Sequence, residues 1–152
     1  MKSLRDYIQE KLVIKKSVVF NHKYFPETKE ELKDLIKKRI KEEGNNADLN
    51  DIDVSKITDM SYLFEGVDFN GDISKWDVSN VTNMKGMFFG NENFNQDISR
   101  WDVSNVTNMR AMFARCVNFN QDISNWEVSN VIYKQSIFYK CPIEEKYKPK
   151  FK

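Results

Sequence analysis

Asp77-Val-Ser-Asn-Val-Thr-Asn-Met84 returns 25 residues later as Asp102-Val-Ser-Asn-Val-Thr-Asn-Met109. The stretch Asn93-Phe-Asn-Gln-Asp-Ile-Ser-Arg-Trp101 returns with the same period as Asn118-Phe-Asn-Gln-Asp-Ile-Ser-Asn-Trp126. A fixed period in this range indicates stacked repeats, because one repeat cannot bury its apolar side alone. The repeated motif therefore determines which fold we expect.

Two further copies extend the array. One begins at Asp53 and is one residue shorter, and a degraded copy begins at Glu127. Within a repeat, apolar residues recur at every third position, as at Val78, Val81 and Met84. Such spacing favours a tight coil with a short strand in its Val-x-x-Met piece. We therefore expect an α+β protein, a short leucine-rich-repeat-like β-solenoid of about 3.5 coils with an N-terminal α-helical cap.

The repeat also resembles a known family. The motif Asp-Val-Ser-Asn-Val-Thr-Asn-Met-x-x-Met-Phe, followed by Phe-Asn-Gln-Asp-Ile-Ser-x-Trp, is similar to the BspA-like leucine-rich-repeat surface proteins of the Listeria and Mycoplasma lipoprotein type. The resemblance covers residues 48–141 and implies a non-enzymatic role in adhesion or protein–protein contact. Members of that family usually have an export signal or a lipoprotein anchor, which this N-terminus does not resemble.

Residues 1–47 differ from the repeats and are expected to form the helical cap. Thr28-Lys-Glu-Glu31 is a capping box that predicts a helix start, and Gly44 predicts its end. Between them, apolar residues form one helical stripe. A helix covering about residues 28–43 is placed to cover the open end of the first coil. The alternative is a docking helix for another protein. The stripe consists of Leu32, Leu35, Ile36 and Ile40.

The rest of the chain is divided into a repeat solenoid at residues 48–143 and a basic tail at residues 144–152 that is expected to be disordered. The net charge is +1, so we expect no nucleic-acid partner, since a phosphate-binding surface normally needs a basic excess. No segment is apolar enough for membrane insertion, and the charged N-terminus is unlike a signal peptide. We expect a cytoplasmic protein of a bacterial or phage-infected cell, and a surface location only with a longer N-terminus.

No arrangement of residues predicts catalysis, a cofactor or a metal site. The single histidine, His22, lies outside the repeats, and no phosphate-binding loop or zinc spacing is present. Repeated acids such as Asp72, Asp97 and Asp122 could suggest calcium, but each precedes a Ser in a pattern typical of turn capping. We interpret these acids as structural, and we expect no enzymatic activity.

The two cysteines are one repeat apart, at Cys116 and Cys141. Two cysteines are too few for a disulfide scaffold. Their column, meaning the equivalent position in successive repeats, holds Val67 and Asn91 in earlier copies, so we expect a small, mostly apolar position. Free thiols are favoured over a disulfide in a reducing compartment.

These observations favour a non-enzymatic protein–protein interaction module. The alternatives are a bacterial surface adhesin, or a fragment of one, and a phage virion or assembly component. Neither the partner nor an oligomeric state follows from the sequence. Three outward columns vary between repeats and are therefore free to suit a partner, with aromatic and Arg side chains favoured. The candidate partner-binding residues in these columns are Lys75, Lys85, Phe89, Arg100, Arg110 and Tyr139.

Overall fold

The computed structural model describes residues 3–8 and 22–152. Residues 4–8 are helical and form α1, helix α2 spans Lys29–Glu43, and a short 3₁₀ helix spans Glu145–Tyr147. The hairpin or extended pair that Val13-Ile14 and residues 18–20 suggest lies outside the described residues. In the described part of the chain, no helix is both long enough and apolar enough to cross a membrane.

Within residues 22–152 the repeats contain no β-strand. Neighbouring repeats are connected by isolated parallel bridges, each a single residue pair. The equivalent positions Asp59, Asn83, Asn108 and Tyr133 form three such bridges in succession. The expected leucine-rich-repeat β-solenoid is therefore wrong.

The physical reason is the backbone conformation of each repeat. Two positions per repeat adopt a left-handed conformation, as at Gly86 (φ 58°) and Gly90 (φ 68°). Extended strands require negative φ, so the segments after Val-x-x-Met turn repeatedly instead of forming a ladder. We refer to residues 61–66, 85–90, 110–115 and 135–140 as the turn segments of repeats 1 to 4.

The stacked repeats share one hydrophobic core built from aromatic columns. Trp101 lies between Trp76 and Trp126, with ring centroids 6.4 and 6.5 Å away. Phe88 stacks on Phe113 at 5.5 Å. Burying a large apolar side chain stabilises a fold by about 1.5–3 kcal/mol before entropy is counted, so these columns are the main source of cohesion between repeats.

Helix α2 begins and ends where its capping residues predict. Thr28 Oγ1 accepts a hydrogen bond from the backbone N–H of Glu31 (3.2 Å), and Gly44 N–H donates to the carbonyl oxygen of Ile40 (2.8 Å). Leu32 and Ile36 are buried in the same core as the repeats. Whether residues 1–47 act as a cap that the repeats need for folding stays a prediction.

The expected basic tail at residues 144–152 contacts the last repeats. Ile123 N–H donates to the carbonyl oxygen of Tyr147 (3.0 Å), and Glu144 N–H donates to Asn120 Oδ1 (2.9 Å). Ile143, just before this segment, is buried in the core. The tail thus lies against one side of the array.

Candidate functional site

The turn segments have a hydrogen-bond pattern that positions their side chains. In repeat 1, the N–H groups of Tyr62 and Phe64 donate to carbonyl oxygens of the next repeat at 2.9 and 2.8 Å. The intervening N–H of Leu63 donates back to Met60 within the same turn (3.3 Å). This alternation recurs in repeats 2 and 3, so neighbouring turn segments are held in register and residues of one column lie next to each other.

A concave hollow lies where the turn segments of repeats 1, 2 and 3 meet. Its volume is about 340 Å³, which is at the small end of the range for ligand pockets. We call it the turn hollow. Its lining residues are Tyr62, Glu65, Lys85, Phe89, Arg110 and Ala111.

Gly86 lets the aromatic ring of Tyr62 lie close to the backbone in this hollow. A Cβ atom at Gly86 would be only 2.4 Å from Cε1 of Tyr62. The Nζ atom of Lys85 lies 5.6 Å from the centroid of the same ring, a cation–π distance. The ring of Tyr62 therefore lies next to the backbone of Gly86 and within cation–π distance of Lys85.

The structure brings three of the six predicted partner-binding residues together. Lys85, Phe89 and Arg110 all line the turn hollow. Lys85 and Phe89 are half-buried, whereas Arg110 is exposed. Lys85 and Arg110 belong to one column in successive repeats, and Phe89 lies four residues after Lys85 in the turn segment of repeat 2.

The other three predicted residues do not line the turn hollow. Tyr139 is 54% exposed and lies in the turn segment of repeat 4. Lys75 and Arg100 are exposed outside the turn segments. These three residues are useful as matched controls for the hollow, since they include the same kinds of side chain.

Three lining residues were not among the predicted ones, namely Tyr62, Glu65 and Ala111. Tyr62 and Ala111 share a column with Gly86 and have the same left-handed backbone, with φ of 57° and 55°. A glycine in one repeat is a sign of a left-handed position, and that sign could have been extended to the rest of the column. The variable-column argument alone did not select them.

The charge of the turn hollow favours an acidic ligand group. It contains Lys85 and Arg110 against a single carboxylate, Glu65. Neither of the two cations forms an ion pair with a residue that the structure describes. The hollow can therefore accept a large apolar side chain beside Phe89 and a carboxylate beside the cations.

The repeated acids have a structural role in the turns. Asp102 Oδ1 accepts hydrogen bonds from Ser104 N–H (3.0 Å) and Ser104 Oγ (2.6 Å), and Asp122 binds Ser124 in the same way. These serine hydrogen bonds lower the pKa of both carboxyl groups. In the part of the chain that the structure describes, no group of three or more His, Cys, Asp or Glu side chains could hold a metal ion.

The cysteine column is less apolar than expected. Asn91 is completely buried, and its Nδ2 donates to the carbonyl oxygen of Phe69 (3.1 Å). Cys116, one repeat later, donates its thiol to the carbonyl oxygen of Phe88 (2.9 Å). Both cysteines are free, and burial raises the pKa of each thiol.

We expect the cysteines of the native protein to resist alkylation at neutral pH, because the thiolate is the reactive form and burial disfavours it. Cys141 is half-buried and should react before Cys116. Intact mass spectrometry after iodoacetamide treatment without reductant checks this, with a parallel reaction in guanidinium chloride, which should label both thiols. A mass lower by two hydrogens with neither thiol labelled would show a disulfide instead.

Together these features define a small tandem-repeat protein built from turns around a shared aromatic core. The chain matches the family model described as "Mycoplasma protein of unknown function, DUF285" over residues 31–149, and it therefore belongs to this family. No curated protein and no solved structure matches it. The expected membership of the BspA-like leucine-rich-repeat family is wrong, since the match is to DUF285 and the described repeats contain no strands.

Proposed function

We propose that this protein is a non-enzymatic interaction module that binds another protein through the turn hollow. The observation that supports the proposal is the meeting of Lys85, Phe89 and Arg110 with the ring of Tyr62 in one concave site. Aromatic and Arg side chains in small desolvated pockets dominate the energetics of protein interfaces. A single large side chain of a partner fills a hollow of this size.

The charge of the hollow defines the chemistry of the partner surface. Lys85 and Arg110, which form no ion pair with a described residue, attract a carboxylate of the partner, and the nearby Glu65 disfavours a second one. An apolar or aromatic side chain next to an Asp or Glu is therefore the expected anchor. The adhesin and virion alternatives predict other contexts for such binding, namely a cell surface or a phage particle.

The double substitution Phe89→Ala with Arg110→Ala should weaken partner binding by more than tenfold, which is about 1.4 kcal/mol. It removes the apolar wall and one cation of the hollow while leaving the buried core unchanged, so the melting curve should stay close to that of the wild type. The partner is first isolated by capture from an extract of the native organism and identified by mass spectrometry. Its Kd is then measured with purified components by titration calorimetry.

The matched control is Arg100→Ala with Tyr139→Ala, which also removes one arginine and one aromatic side chain. Both residues are exposed and lie outside the hollow, so the control should bind the partner with unchanged Kd. A folded Phe89→Ala, Arg110→Ala variant that keeps the wild-type Kd would refute the turn hollow as the binding site.

A further inference from the structure

Repeat 4 has backbone N–H groups at the positions where repeats 1 to 3 donate hydrogen bonds to the following repeat. In repeat 3, the N–H groups of Met109, Ala111, Phe113 and Arg115 donate to carbonyl oxygens of repeat 4, at distances between 2.7 and 3.0 Å. Repeats 1 and 2 contain the same four bonds. Three successive turn segments thus use an adjacent chain segment as the acceptor for every second N–H.

The equivalent donors of repeat 4 have no acceptor among the residues that the structure describes. They are the N–H groups of Lys134, Ser136, Phe138 and Lys140. The backbone of repeat 4 nevertheless keeps the geometry of the earlier repeats. Ser136 and Lys140 are left-handed at φ 59° and 55°, as Ala111 and Arg115 are. The four N–H groups therefore form an open donor edge directed as in repeat 3.

A second hollow, of about 580 Å³, lies along this donor edge. We call it the edge hollow. Four lysines and one glutamate line it together with apolar side chains, so its charge is positive. The lining residues that matter for charge are Lys134, Glu145, Lys146, Lys148 and Lys150, and the apolar ones include Ile137, Phe138 and Phe151.

Ion pairs within the protein neutralise only part of this positive charge. Lys146 pairs with Glu144 (3.3 Å) between two exposed side chains, and half-buried Lys148 pairs with exposed Glu145. An exposed pair such as Lys146 with Glu144 is weak because water screens it, and it exchanges readily for a better acceptor. Lys150 forms no ion pair with any described residue.

The surface next to the donor edge changes from polar to apolar in repeat 4 alone. Ile132 is 67% exposed and Tyr133 is 52% exposed, where repeat 3 has Thr107 and Asn108. The tail contacts Asn120 and Ile123, and most of its residues from Glu145 to Phe151 line the edge hollow together with the turn segment of repeat 4. Exposed apolar side chains beside open backbone donors are the features of a surface that binds a peptide segment.

We propose that the donor edge of repeat 4 and the edge hollow bind an extended acidic peptide segment of a partner protein. The carbonyl oxygens of that segment accept hydrogen bonds from Lys134, Ser136, Phe138 and Lys140, as the carbonyls of each following repeat do elsewhere in the molecule. Its acidic side chains pair with the lysines of the hollow. Donors spread over seven residues, from 134 to 140, suit a chain rather than one small anion.

This site is separate from the turn hollow, and its test is independent of the proposed function. The probe is a fluorescein-labelled synthetic peptide that copies residues 107–115, with glutamate in place of both Arg110 and Arg115. These residues supply the acceptor carbonyls for repeat 2. Fluorescence anisotropy should show that this peptide binds at least tenfold more tightly than the peptide with the native arginines.

Charge reversal in the protein gives the second measurement. Lys146→Glu with Lys150→Glu should weaken binding of the glutamate peptide by at least tenfold, with a two-dimensional NMR spectrum that still shows the native fold. The control, Lys75→Glu with Arg100→Glu, reverses two exposed cations outside the edge hollow and should leave the Kd unchanged. Equal weakening by both pairs would mean that only net charge matters and would overturn the proposal.

Amide hydrogen exchange followed by NMR identifies the donors directly. In the free protein, Lys134, Ser136, Phe138 and Lys140 should exchange much faster than their bonded counterparts in repeat 3, and the glutamate peptide should slow them. The proposal is overturned if the bound peptide protects none of these four amides. It is also overturned if inorganic phosphate displaces the peptide and gives the same protection, because the site would then bind small anions.

Discussion

Trp101→Ala should lower the free energy of unfolding by about 3–5 kcal/mol, the usual cost of deleting a large buried aromatic side chain. Trp101 is 4% exposed and is stacked between Trp76 and Trp126. Its Nε1 donates to the carbonyl oxygen of Ile73 (3.1 Å), so the substitution also leaves a buried acceptor unpaired. Both neighbouring repeats lose a contact, so local collapse does not restore the packing.

Guanidinium chloride unfolding monitored by circular dichroism measures this loss. The control is Arg100→Ala at the adjacent exposed position, which should change the free energy of unfolding by less than about 0.5 kcal/mol. Trp126→Ala should cost less than Trp101→Ala, because its column has no tryptophan beyond it. A Trp101→Ala protein that melts within a few degrees of the wild type would contradict the stacked core.

Local helix chemistry and the repeat period were readable from the sequence. Thr28 and Gly44 predicted the ends of α2, which the structure places at Lys29–Glu43. The fixed period predicted repeats that bury their apolar sides against each other, and the structure shows one core shared by the repeats. Capping and burial depend on residue type within a few positions or one repeat, so a sequence pattern is sufficient to predict them.

The backbone conformation of the repeats was not readable in the same way. Apolar residues at every third position fit a short strand and also fit a chain of turns. Tyr62, Ala111 and Ser136 adopt left-handed φ without being glycine, which residue type alone does not predict. The expected strands were wrong because the tertiary contacts between repeats impose these conformations.

The part of the candidate site that depends on variation within a column, from one repeat to the next, was predictable. The variable columns selected Lys85, Phe89 and Arg110, which the structure places in one hollow. The position of Tyr62 depends on its ring lying over Gly86, a contact between neighbouring repeats that no single repeat reveals. Similarly, Asn91 was expected in an apolar column, yet it is buried because it binds the backbone of Phe69.

Gly71 shows where the repeat consensus conflicts with the tertiary structure. The equivalent positions in the next repeats are Gln96 and Gln121. Gln96 Nε2 donates to the backbone carbonyl (3.0 Å) and to Oδ1 (3.1 Å) of Asn70 in the preceding repeat. Sequence reasoning alone would therefore predict that Gly71→Gln extends this pattern and stabilises the protein.

The structure predicts the opposite result, a loss of about 3 kcal/mol, at the upper end of the usual cost of overpacking. A Cβ atom at Gly71 would lie 1.9 Å from the backbone carbonyl oxygen of Ala47 and 2.6 Å from Cε2 of Phe69. The nearest atom belongs to the backbone that follows α2, so it cannot move aside as a flexible side chain could. Chemical denaturation of Gly71→Gln measures the effect.

The reciprocal control is Gln96→Gly, which gives the second repeat the glycine that the first repeat has at the equivalent position, Gly71. It removes two hydrogen bonds at a half-buried position and should cost only about 1 kcal/mol. Gly71→Ala separates the two contributions, because it introduces the Cβ clash without the amide group. If Gly71→Gln proves as stable as the wild type, the segment around Ala47 must be able to move away from the first repeat, and its close packing there would be disproved.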